Sequence, residues 1–240
     1  MNTDVQTRKN CLHISLDCQA TVWPSLDINV CLNGVCPLRV SAAQKRIRKA
    51  ALELFADKGT VDVSVSELAA ASGVVRGTIY KNVPSPEKLF ETIAAQLAEE
   101  MDRQVVASYR GTEDPALRLA IGVRLYLRRA HEEPHWGRFL VQFAITNKSL
   151  REIWSGPPAQ DLRLGMESGR YDLKPEQIPA AVSVLAGSTL AAIALVLDGL
   201  RTWRDAGTEV AVMVLRSLGI DRDEAVELAS RPLPELADAG

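Results

Sequence analysis

Residues 64–83, SVSELAAASGVVRGTIYKNV, decide how this chain is read. Ser64-Val65-Ser66-Glu67 is a capping box: the Ser64 hydroxyl satisfies the amide three residues on while Glu67 reaches back. Leu68, Ala69 and Ala71 continue the helix to Ser72-Gly73, where glycine suits the left-handed residue that closes a helix. A second, short helix covers roughly Val75 to Lys81. Helix, glycine turn and short helix make a helix-turn-helix, in which the second helix presents side chains to base edges in the major groove. Ala69 and Ala70 permit a close crossing, and Val74 and Ile79 face a core. The exposed positions are then Arg76, Gly77, Thr78, Tyr80 and Lys81. Arg76 can pair bidentately with guanine and Thr78 can meet a thymine methyl. Tyr80 and Lys81 reach bases or phosphates, and Ser64 with its helix start offers a hydroxyl and amides to a phosphate.

The flanks support this reading. Upstream, Ile47, Ala50, Ala51, Leu54 and Phe55 form one apolar stripe at helical spacing. Lys45, Arg46, Arg48 and Lys49 crowd the first turns, and Lys58-Gly59 ends the helix. Downstream, Ser85-Pro86 reads as N-cap and first residue of a long helix reaching about Ser108. Charge follows the same division: residues 41–90 hold eight Lys/Arg against five Asp/Glu, residues 91–240 hold seventeen against twenty-two. A basic block on an acidic body suggests a nucleic-acid-facing module.

Taken together, the basic helix, ALELFADKG, ELAAASGV, GTIY and the S-x-E-K-L helix start within residues 45–90 resemble the TetR family of transcriptional regulators. The resemblance implies an all-α homodimer: an N-terminal three-helix DNA-binding domain plus a larger helical ligand-binding and dimerisation domain. It implies a near-palindromic double-stranded DNA operator, usually released by a small-molecule effector. Three positions depart from the family pattern. Val75 stands where Ser or Thr often caps the recognition helix, Asn82-Val83 replaces a frequent His-Phe, and Pro86 replaces a Lys that usually contacts phosphate. Losing one phosphate contact lowers the salt slope of DNA binding by about one; Lys81 and Lys88 are the compensating candidates.

Beyond Asp114-Pro115 the periodicity predicts helices near 115–131, 134–147, 149–155, 158–170, 175–199 and 205–219, with a further short helix near 223–230. Residues 178–197 are nearly uncharged and long enough to span a bilayer. Their apolar content is mainly Ala, which is weak for insertion, so the reading is a helix buried between neighbours or subunits. Val210, Val214 and Leu218 add a second apolar face, and both are expected in a dimer interface. Tyr126, Trp136, Phe139, Phe143, Trp154 and Met166 are the large side chains of the middle helices. We expect them to line an apolar or aromatic effector site, with His135, Arg128 or Gln142 as a polar anchor. The alternative for this stripe is plain core.

His131-Glu132-Glu133-Pro134-His135 spells the zincin motif, but Pro134 interrupts the single helix that motif needs. No G-x-S-x-G, Walker loop or dinucleotide fingerprint is present, so no catalytic residue, cofactor or metal site is assigned. Cys11, Cys18, Cys31 and Cys36 all precede Ser41, and their spacing fits no zinc pattern well. A body without cysteine suits a reducing cytoplasm. Residues 1–40 read as an atypical arm without stable structure; weak strands and a translation start as late as Val40 also fit. The expected organisation is thus arm 1–40, DNA-binding domain 41–90, ligand-binding and dimerisation domain 91–222 and tail 223–240. The expected function is a cytoplasmic, ligand-responsive repressor. The alternative is a regulator switched by thiol oxidation or metal at the arm, or one with no ligand.

Overall fold

The computed structural model describes residues 41–83 and 85–236. The four cysteines and the expectations for the arm lie outside them. The described residues form eleven α-helices: α1 (Ala42–Lys58), α2 (Val65–Ser72), α3 (Arg76–Asn82), α4 (Leu89–Ser108), α5 (Pro115–Glu132), α6 (Pro134–Phe143), α7 (Lys148–Ser155), α8 (Pro157–Glu167), α9 (Ile178–Leu197), α10 (Trp203–Ser217) and α11 (Arg222–Ser230).

Side chains and glycines set the boundaries of the first helices. Ser41 and Ser64 each complete a capping box, with Gln44 and Glu67 respectively. Such caps are worth about 1 kcal/mol each. Gly59 and Gly73 close α1 and α2 at φ 64°, a geometry in which a Cβ is strained. Val75, by contrast, starts α3 with no side-chain cap. The entry to α4 differs from the expectation: Pro86–Lys88 form a 3-10 turn, Ser85 makes no cap bond, and the α-helix begins at Leu89.

α1, α2 and α3 pack around Ile47, Phe55, Leu68 and Ile79, all nearly free of solvent contact. α4 then runs from this small core into the body, where α5 packs against α8, α9 and α10. α5 ends at Glu132 and α6 restarts at Pro134, so His131 and His135 belong to different helices. α11 occupies the first half of the expected tail, burying Ala225, Leu228 and Ala229. α9 is the least polar helix, yet only a third of it is buried. Ala180, Val184, Gly187, Ala191 and Leu195 share its exposed side, and Met213 of α10 is 69% exposed.

Candidate DNA-binding and effector sites

The helix-turn-helix surface is built from few residues. α3 buries Ile79 and leaves Val75, Arg76, Gly77, Tyr80 and Lys81 exposed, with Thr78 half-buried. Tyr80 is 61% exposed, unusual for a residue that buries well. The Arg76 guanidinium donates to the Ser66 hydroxyl on α2, which holds the side chain along the surface between the two helices. The Ser64 hydroxyl accepts from the Glu67 amide at 3.2 Å and donates to its carboxylate at 2.9 Å. Lys58 pairs with the same carboxylate; this ammonium and the Ser64 donors hold Glu67 down to about 2. Lys88 is exposed in the 3-10 turn before α4.

Asn82 performs a task the sequence did not advertise. Its amide donates to the Thr78 carbonyl at 2.8 Å, and the Ser41 hydroxyl donates to its Oδ1 at 3.3 Å. One side chain thereby closes the recognition helix and ties it to the start of α1.

α4 joins this module to the body by two different contacts. The first is dry. Phe90 of α4 packs edge-on to Phe55 of α1 at 5.1 Å and to Phe143 of α6 at 4.9 Å, with Phe139 at 5.4 Å. The second is ionic. Arg48 of α1 donates to Glu100 Oε2 at 2.8 Å, and Arg129 of α5 donates to Glu100 Oε1 at 2.6 Å. Arg129 is buried, donates also to Gln104 at 2.7 Å, and lies 4.8 Å from the Trp136 ring. A buried guanidinium needs this full set of acceptors to offset its lost hydration.

One turn along α4 lies a cavity. Asp102, Val105 and Tyr109 of α4 line it with Arg118, Gly122 and Tyr126 of α5, Trp154 of α7, Pro158 and Asp161 of α8, and Leu185 of α9. Its volume is about 30 Å³, roughly one water's share. A more open cleft of about 270 Å³ adjoins it and shares Tyr109, Arg118, Pro157 and Asp161. Arg118 pairs with Asp161 at 3.2 Å and lies 5.6 Å from the Tyr109 ring. Burial raises Asp161, although Arg118 opposes it. Asp102 differs: burial alone acts on it and lifts it to about 7. Burial also raises the Tyr126 phenol well above its usual range. The Trp154 indole nitrogen is buried without a hydrogen-bond partner.

Of the six expected effector residues, the structure brings Tyr126 and Trp154 into the cavity lining. Trp136 stands behind them, 5.8 Å from Tyr126. Phe139 and Phe143 sit in the phenylalanine cluster, and Met166 packs half-buried against the core. The three candidate anchors are engaged elsewhere: Gln142 donates to the Ala56 carbonyl, Arg128 pairs with Glu132, and His135 lies 3.5 Å from Asp57. The polar residues that do line the cavity, Asp102, Arg118 and Asp161, went unnoticed in the sequence. A signal existed: Asp102, Val105 and Tyr109 fall at i, i+3 and i+7, an acid set within an apolar stripe.

Comparison with known proteins agrees with both halves. The sequence model described as "Bacterial regulatory proteins, tetR family" matches residues 47–93, and "Tetracyclin repressor-like, C-terminal domain" matches residues 114–231. The solved structure of RolR in complex with resorcinol is 29% identical, with a TM-score of 0.62 over 81% of this chain and 96% of that one. A regulator from Shewanella sp. PV-4 is 22% identical, with a TM-score of 0.64 over 74% of this chain and 98% of that one; at that identity the likeness concerns the fold. Among curated proteins, an uncharacterized HTH-type transcriptional regulator of Mycobacterium tuberculosis is 27% identical over 96 residues, 40% of this chain. The chain spans about half the length of the curated relatives it matches. With matches over both its helix-turn-helix and its helical body, the chain belongs to the TetR family of transcriptional regulators.

Proposed function

We propose that the protein is a cytoplasmic repressor that binds a palindromic operator as a homodimer through residues 41–90 and is released by a small aromatic molecule held in residues 91–222. The observation that carries this reading is the placement of α4. Asp102 lines the aromatic-walled cavity, and Glu100, two residues away, is bound by Arg48 of α1. A cavity of one water's volume cannot take an aromatic ring, which needs on the order of 150 Å³. Passage of an effector from the adjoining cleft into this cavity therefore moves the lining, and α4 is the part of the lining attached to the DNA-binding helices. RolR, 29% identical, is a relative solved with an aromatic ligand, resorcinol.

The homodimer reading rests on α9 and α10. Ala180, Val184, Ala191, Leu195 and Met213 leave an apolar surface that a monomer would expose to water. A two-fold operator needs two recognition helices about one DNA turn apart. In the recognition helix, Arg76 must exchange Ser66 for guanine, Lys81 and Lys88 meet phosphates, Ser64 offers its helix start, and Thr78, Gly77 and Tyr80 approach the bases.

Selection from random duplexes, followed by titration of the selected DNA with resorcinol, tests the reading. An enriched palindrome bound by a dimer and weakened by the ligand is expected. No enriched site, or a monomer by sedimentation at micromolar concentration, would refute it.

A further inference from the structure

Asp102 and Trp154, on different helices of the cavity lining, carry polar atoms with no hydrogen-bond partner among the described residues. The Asp102 carboxylate makes no hydrogen bond or ion pair among the described residues; its perturbation comes from burial alone. It approaches the α7–α8 junction, where a Cβ on Gly156 would stand 3.3 Å from Oδ2. Trp154, two residues before that glycine, is 5% exposed, and its Nε1 hydrogen has no acceptor. A buried polar atom left unpaired is costly, so the Trp154 indole gains from a ligand that supplies an acceptor, and the half-buried Asp102 carboxyl gains from one that supplies a donor. Of the neighbouring polar groups, Arg118 and Asp161 hold each other, while the Tyr126 hydroxyl, also in the lining, has no hydrogen-bond partner among the described residues and can serve a ligand as donor or acceptor.

The geometry points to a hydroxyl group on the effector, seated between Asp102 and Trp154, as the feature this site recognises. A hydroxyl donates one hydrogen bond and accepts others. It can give its proton to the Asp102 carboxylate and accept from the Trp154 indole. A carboxylate ligand only accepts, so it pairs with Asp102 only where that group holds its proton, whereas a hydroxyl pairs with either form. An ammonium only donates, and leaves the indole N–H unpaired. The rest of the lining is Val105, Leu119, Tyr126, Pro158 and Leu185, which suits an aromatic carbon frame. Small neutral phenols are the class that meets both demands. Sites built to bond a hydroxyl reject analogues that lack it far more strongly than apolar pockets reject size changes. This inference rests on the cavity being the effector site.

The test compares phenol and resorcinol with fluorobenzene, benzoate and benzylamine, using the full chain. Binding is measured by calorimetry and operator release by fluorescence anisotropy. Phenol is expected to bind at least tenfold more tightly than fluorobenzene, its match in size, with benzoate and benzylamine weaker still. In Asp102→Leu and in Trp154→Phe, each first checked for an intact thermal transition, the phenol-to-fluorobenzene ratio should fall to within about twofold. If fluorobenzene binds and releases operator as well as phenol does, the hydroxyl inference fails while the aromatic effector reading stands. A ratio unchanged in both variants also overturns the inference. If none of the five probes binds, both fall together.

Discussion

Two aromatic clusters lie within one helix length of each other and are built for different ends. Phe55, Phe90, Phe139 and Phe143 form the first, every ring within 6.3 Å of a neighbour and with no polar atom to satisfy. It fastens the DNA-binding helices to the body. Tyr126, Trp136 and Trp154 form the second, with ring centroids 5.2 and 5.8 Å from Tyr126. Each of its rings carries a polar handle, and both indole nitrogens lack partners. Carbon rings alone give adhesion, whose worth scales with buried area. Rings with unmet hydrogen bonds give a surface that improves when something arrives. α6 contributes to both clusters, because Trp136 lies one turn before Phe139 and two before Phe143.

The largest effect should follow from breaking the dry cluster. Phe90→Ala removes the ring that touches the other three, and should cost about 3–5 kcal/mol, read as a lowered midpoint in thermal or urea unfolding. The effect of the ligand on the remaining folded protein should persist.

A smaller effect, with a pH signature, belongs to the polar side. Asp102 rises from 3.8 to about 7 on folding. Between those values the folded chain keeps a proton that the unfolded chain has lost. Its contribution to stability is therefore full below about pH 4, declines as pH rises toward 7, and is absent above. Asp161, Arg118, Tyr109 and Tyr126 share the cavity, so the comparison is with Asp102→Asn, which should lack this slope. Unfolding midpoints from pH 4 to 8 decide it; equal slopes in the two proteins would remove Asp102 from the account.

The smallest effect on stability should come from Arg48→Ala, whose side chain is 38% exposed. Exposed pairs are worth about 1 kcal/mol or less. Because Arg48 bridges α1 to Glu100, however, the ligand's effect on operator affinity should shrink in this variant. Unchanged release would move the coupling from the ionic bridge to the phenylalanine contact.

The helix-turn-helix was more legible in the sequence than the cavity, for a physical reason. Capping boxes at Ser64 and a glycine stop at Gly73 are local, and so is the exposure of Tyr80 on a seven-residue helix. The cavity is assembled from five helices, and Asp102 and Trp154 come to line it together only through tertiary packing. Helical spacing put Trp136, Phe139 and Phe143 on one face correctly, yet spacing does not reveal that α4 meets that face with Phe90 at one end and Glu100 at the other. The break at Pro134 was readable because proline acts on its own residue; the 3-10 entry into α4 was not, since a proline at a first helical turn fits both geometries.

The division of labour between the clusters is tested most directly by paired titrations of operator release with phenol or resorcinol, alongside thermal unfolding, for Phe143→Leu and Trp154→Leu. A lowered melting temperature with a normal ligand response is expected for Phe143→Leu, and a ligand response reduced well beyond any loss of stability for Trp154→Leu. The opposite pattern, a stable Phe143→Leu that no longer responds and a Trp154→Leu that responds normally, would contradict it.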